Sequence, residues 1–110
     1  MTATESKAQQ WLLVKWNKHY LIFNRDSGKV LDVPNASKNQ LVQIHLWDHK
    51  GDLKQQWSVE KWRNYSVIRS RCSGLVLDVA YDATHDGASI IQYPHVNGHP
   101  GQLWALVPVK

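Results

Sequence analysis

The tripeptide Gln-X-Trp occurs three times, as Gln9-Gln10-Trp11, Gln55-Gln56-Trp57 and Gln102-Leu103-Trp104, with Trp11 to Trp57 spanning 46 residues and Trp57 to Trp104 spanning 47. A period of this size means that one supersecondary unit is repeated and that successive units share a core none of them could bury alone. Three marks enclose two intervals. The pattern therefore predicts two full units plus the last strand of a third, in one domain over 1–110, with repeat 1 at about 12–57 and repeat 2 at about 58–107.

Aligning the intervals extends the correspondence well beyond the tryptophans. Trp11-Leu12-Leu13-Val14-Lys15-Trp16 lies over Trp57-Ser58-Val59-Glu60-Lys61-Trp62, and pairing Tyr20 with Tyr65 makes the second copy one residue shorter before the tyrosine. Ser27-Gly28-Lys29-Val30-Leu31-Asp32-Val33 then matches Ser73-Gly74-Leu75-Val76-Leu77-Asp78-Val79, and Ile44-His45-Leu46-Trp47 matches Ile90-Ile91-Gln92-Tyr93. Each aspartate precedes its aromatic residue by 15 positions.

The local pattern is that of short strands. Tyr20–Asn24, Tyr65–Arg69, Val30–Val33 and Val76–Val79 are rich in β-branched, aliphatic and aromatic residues, and Ser-Gly pairs turn the chain ahead of the latter two. Leu41–Trp47 and Ala88–Tyr93 are the third segments, and Trp57–Trp62 and Trp104–Val109 the fourth. Pro34, Pro94, Pro100 and Pro108 fall where a missing N–H does no harm. No stretch keeps a helical period long enough to compete, so the fold class is all-β.

Composition removes several function classes. The opening apolar run, Trp11–Val14, is too short for a signal core or a membrane span, and the single Cys72 excludes an internal disulfide. The simplest expectation is a protein that is cytoplasmic or released without a signal peptide. Its formal charge of +4 comes from Lys and Arg scattered among acids, so no nucleic-acid partner is expected. His45 with His49 and His95 with His99 stand four apart, but that spacing gathers histidines only on a helix, so neither a metal nor another cofactor is expected.

Gln-X-Trp, with Ser-Gly-X-X-Leu-Asp-Val upstream and an aromatic residue between, resembles the ricin B-type (R-type) lectins over residues 9 to 107. The resemblance implies a β-trefoil: four-stranded lobes about a pseudo-threefold axis, with Trp11, Trp57 and Trp104 in the core. It further implies that Asp32 with Trp47, and Asp78 with Tyr93, are the binding aspartate and stacking aromatic of two sugar pockets. Gln55 and Gln102 would sit beneath them and hold the aspartates. Family members often have a polar residue two positions before the aromatic, where this chain has His45 and Ile91. They also often have Asn directly before the motif glutamine, where it has Lys54 and Gly101. His95 and Asn97, in the loop Pro94–Gly101, complete the candidate binding set; that loop either frames a ligand or is a polar turn.

The chemistry of such a pocket is simple. An aromatic face packs on the C–H face of a pyranose, and a fixed carboxylate accepts hydrogen bonds from its hydroxyls. Alone, each aspartate would read as a turn anchor. Repetition at one distance from an aromatic favours a ligand. Glycoside hydrolysis needs two dissimilar carboxylates across one bond, whereas the acids here recur singly in equivalent places, so no enzyme is expected. The expected function is a lectin for galactose or N-acetylgalactosamine-type glycans, on glycoproteins or glycolipids; the alternative is a trefoil protein-interaction or protease-inhibitor module. Counting strands gives nine where a closed trefoil has twelve. Neighbouring segments plug that gap, or a homo-oligomer such as a dimer completes it, or the chain is a fragment of a longer one.

Overall fold

In the computed structural model, residues 11–79 and 89–106 are described, and all of their extended elements belong to a single antiparallel sheet. The first unit comprises β1 (Trp11–Trp16), β2 (His19–Asn24), β3 (Val30–Asp32) and β4 (His45–Trp47). The second repeats it as β5 (Trp57–Trp62), β6 (Tyr65–Ser70), β7 (Val76–Val79) and β8 (Ile90–Tyr93). The strand order is β4-β3-β2-β5-β6-β7-β8, with β1 paired to β2. No helix among the described residues is long and apolar enough to cross a membrane.

The two units superpose without a gap in their hairpins, which corrects the alignment expected from the sequence. Trp16 pairs with His19 across the tip Asn17-Lys18, as Trp62 pairs with Tyr65 across Arg63-Asn64. His19, and not Tyr20, therefore corresponds to Tyr65. A constant offset of 46 carries through Asp32 and Asp78 to Trp47 and Tyr93, and becomes 47 only at Gln55 and Gln102. The extra residue lies in the loop after Tyr93. Two tyrosines in similar sequence drew the gap to the wrong place, whereas strand pairing admits no slip without turning every side chain to the opposite face.

Alternation explains what each strand buries. In β2 and β6, Ile22 and Ile68 enter the core, which also holds Leu31, Val33, Ile44, Trp57, Leu77 and Trp104. Trp11 packs against this cluster, half-buried. Each unit is joined to the next Gln-X-Trp in the same way, because Tyr20 pairs with Trp57 and Ser66 bridges to Trp104. That single bridge is what the structure records of the expected strand Trp104–Val109; residues 107–109 lie outside the described set, as do Gln9, Gln10 and Ala88. The expected segment Leu41–Trp47 divides, with His45–Trp47 pairing inside its own unit while Leu41 and Ile44 donate to Gln92 and Ile90 across to the second.

Gln92 locks that junction. It occupies the place of Leu46 in the first unit, is fully buried, and donates from Nε2 to the carbonyls of Ser37 (3.0 Å) and Asn39 (2.7 Å) while its Oε1 accepts from the Ser73 hydroxyl at 2.8 Å. Substituting the residue that the first unit uses, Gln92→Leu, leaves these three groups to find other partners. Urea denaturation should register a loss of about 2 kcal/mol. A change below about 0.5 kcal/mol would mean that the amide makes no net contribution to joining the units.

Candidate functional site

Strand pairing brings the first candidate set together. Asp32 ends β3 opposite His45 of β4, and His45 Nε2 lies 2.8 Å from Asp32 Oδ1. Residues two apart in a strand share a face, so Trp47 follows His45 on the same side. Their rings stack at 5.1 Å between centroids and 13° between planes, and Trp47 remains 47% exposed. The imidazole thus lies between the carboxylate it bonds and the half-exposed indole it stacks on.

Gln55 sets the direction of that carboxylate. It reaches Asp32 from the short 3-10 turn Leu53–Gln55, donating to Oδ2 at 2.8 Å and to the Asp48 carbonyl at 2.8 Å. Its Oε1 accepts from the Lys50 and Gly51 amides at 2.7 and 3.0 Å. A primary amide has two N–H donors and one carbonyl with two lone pairs, so all four positions are filled within the protein. Gln55 is also fully buried. Its side-chain hydrogen-bonding positions are thus spent on the carboxylate and on the backbone around it.

Two residues on, Trp57 donates its indole N–H to the Leu31 carbonyl at 3.3 Å. The motif therefore grips β3 twice, by the side chain of Asp32 and by the backbone immediately before it. Lys54 adds a third approach, its Nζ 3.9 Å from Asp32 Oδ2, with 24% of its side chain exposed. Asp32 itself is 1% exposed, covered by His45, Gln55 and Lys54.

The second set repeats the support and changes the wall. Gln102 Nε2 donates to Asp78 Oδ2 at 3.0 Å and to the Pro94 carbonyl at 2.9 Å, and its Oε1 accepts from the Val96 amide at 2.8 Å. Trp104 donates to the Leu77 carbonyl at 3.3 Å. Opposite Asp78 in the ladder stands Ile91, which offers no counterpart to His45; Tyr93 follows on the same face, half-buried. Gly101 stands where the first set has Lys54. The nearby basic side chain is His99, whose Nε2 is 4.0 Å from Asp78 Oδ1. The sequence offers His99 only as one of several polar residues in the loop after Tyr93; the path of that loop brings it back to the carboxylate.

Asn97 and His95 are placed differently from the rest. The Asn97 side-chain oxygen accepts from the Trp62 indole at 2.8 Å, tying the loop to the tip of the β5–β6 hairpin. His95 is exposed; the Glu60 carboxyl on β5 is held below the usual glutamate range chiefly by hydrogen bonds from Arg69. Gly98, at φ +77°, lies against the Trp62 ring; a Cβ there would come within 3.4 Å of it. Gly51 stands likewise against Trp16. In each unit a left-handed glycine lets the loop beside the carboxylate lie flat on a hairpin tryptophan.

The chain matches the family described as ricin-type β-trefoil lectin domain-like over residues 7–93. Among solved structures, the designed threefold-symmetric protein ThreeFoil is 35% identical with a TM-score of 0.89, the match covering 98% of this chain and 78% of that one. The exo-β-1,3-galactanase 1,3Gal43A of Clostridium thermocellum is 33% identical with a TM-score of 0.88 over 99% of this chain, which spans 24% of the enzyme's length. The Polyporus squamosus lectin shares the fold at 15% identity and a TM-score of 0.77, the match covering 93% of this chain and 36% of the lectin. No curated protein sequence matches.

Support and wall separate experimentally. Gln55→Leu leaves two backbone amides, one carbonyl and a buried carboxylate short of a partner, and should cost about 3 kcal/mol or more in denaturant unfolding. Lys54→Ala removes only a loose ion pair and should cost less than about 1 kcal/mol. Equal losses in the two variants would contradict the division between them.

Proposed function

Because the chain belongs to the ricin-type β-trefoil lectin-like family, we propose that it is a non-catalytic carbohydrate-binding module with one shallow pocket per repeat, selective for galactose or N-acetylgalactosamine-type glycans. Asp32 with Trp47 forms one pocket and Asp78 with Tyr93 the other. The observation that carries this reading is the buried carboxylate held from below by an amide, with an aromatic residue two positions beyond the residue opposite it in the ladder, repeated in both units.

The chemistry follows from counting lone pairs. A carboxylate offers about four acceptor positions. Asp32 gives one to His45 and one to Gln55, which leaves acceptor capacity for sugar hydroxyls once the Lys54 side chain moves aside. The aromatic face removes the apolar side of the ring from water, and the hydroxyl bonds select its orientation. In support of the galactose preference, the galactanase similar to this chain at 33% identity acts on a galactose polymer. Two pockets on one chain allow avidity toward clustered glycans without any further contact.

A glycan array followed by calorimetry tests the reading. Asp32→Asn and Asp78→Asn keep side-chain size while replacing one acceptor oxygen by a donor, so each should remove one of two binding events, and the double variant should bind no glycan while melting as a folded protein. Unchanged glycan binding by a folded double variant would reject these pockets. Failure of the unaltered protein to bind any glycan would reject the function.

A further inference from the structure

The two pockets differ in charge, and that difference selects between ligands. In the second, the position before the motif glutamine is Gly101, with no side chain. In the first it is Lys54, whose ammonium stands 3.9 Å from Asp32 Oδ2. A hydrogen bond from nitrogen to oxygen requires about 2.7–3.2 Å, so Lys54 is drawn toward Asp32 by charge without donating to it. Among the described residues no carboxylate holds its three N–H donors at bonding distance, and 24% of the side chain is exposed.

We propose that the Asp32 pocket takes acidic glycans, in which a sulfate or carboxylate substituent on the sugar engages the Lys54 ammonium while a hydroxyl engages Asp32; this rests on the carbohydrate-binding reading above. A neutral sugar entering this pocket displaces Lys54 from Asp32, its ion-pair partner among the described residues, and offers the ammonium only uncharged hydroxyl acceptors in return. An anionic sugar supplies a charge-assisted hydrogen bond in exchange, and frees the Oδ2 lone pair for a hydroxyl. His45 stands on the other oxygen of the same carboxylate, so the groups next to Asp32 are basic on both sides. The acidic side chains of the neighbouring loop, Asp48 and Asp52, are exposed, and the ion pair recorded for Lys54 among the described residues is with Asp32. The Asp78 pocket, with His99 at 4.0 Å and glycine in place of lysine, has no such cation on a flexible stem.

The test isolates each pocket. In an Asp78→Asn background, calorimetry compares methyl β-galactopyranoside with its 3-O-sulfate, its 6-O-sulfate and methyl β-galacturonide at low and moderate salt. At least one anionic sugar should bind roughly tenfold more tightly than the neutral one at low salt, the gain shrinking as salt screens it. Which of the four binds best distinguishes sulfate from carboxylate. The ratio of anionic to neutral affinity should fall to about one in Lys54→Asn and persist in Lys54→Arg. In an Asp32→Asn background, leaving only the Asp78 pocket, no anionic preference should appear. Neutral binding with a ratio near one in the Asp78→Asn protein, or a preference that survives Lys54→Asn, overturns the proposal alone. Absence of binding by all four sugars overturns the pocket itself and the proposal with it.

Discussion

One device recurs and everything near it depends on it: a glutamine and a tryptophan, two positions apart, fasten the same strand from below. Gln55 takes Asp32 by its carboxylate while Trp57 takes the Leu31 carbonyl, and Gln102 and Trp104 do the same for Asp78 and Leu77. The tryptophans also fill the core. Packing of the interior and aim of the carboxylate are therefore set by two residues of one short segment. A buried carboxylate is costly unless hydrogen-bonded, and the glutamine supplies that bond from a group whose remaining positions are tied to backbone.

On this common support the two units diverge at their rims. The second loop is one residue longer, isoleucine replaces histidine beside the carboxylate, and glycine replaces lysine at the mouth. The fastening persists through these changes, because in each unit the glutamine keeps its bond to the aspartate and its bonds to the backbone of the adjoining loop. Such an arrangement allows two pockets to differ in what they accept while the barrel beneath them stays the same, a separation of scaffold and site common to folds that host many specificities.

Much of the architecture was legible in the sequence because repetition averages out local ambiguity. The strands around Tyr20–Asn24, Tyr65–Arg69, Val76–Val79 and Trp57–Trp62 stand where alternation put them. The position of the gap between repeats was not legible. Tyr20 and Tyr65 look equivalent by residue type, but hairpin register, a property of two strands at once, assigns Tyr65 to His19. The three-residue length of β4 was hidden for a related reason: Leu41 and Ile44 are as β-prone as their neighbours, but their hydrogen bonds go to the other unit.

The sequence by itself determined the period, the all-β class and the recurrence of an aspartate 15 positions before an aromatic residue, since these are carried by residue type at fixed separation along the chain, while the core place of the tryptophans and the role of the glutamines followed from the family resemblance. Only the tertiary structure decided which backbone groups fill the remaining positions of Gln55 and Gln102, that Asn97 binds Trp62, and that Lys54 and His99 come to the carboxylates. The reason is physical. Whether a polar side chain faces a ligand or the protein depends on which of its hydrogen-bonding positions are already filled, and the groups that fill them arrive from segments distant in sequence.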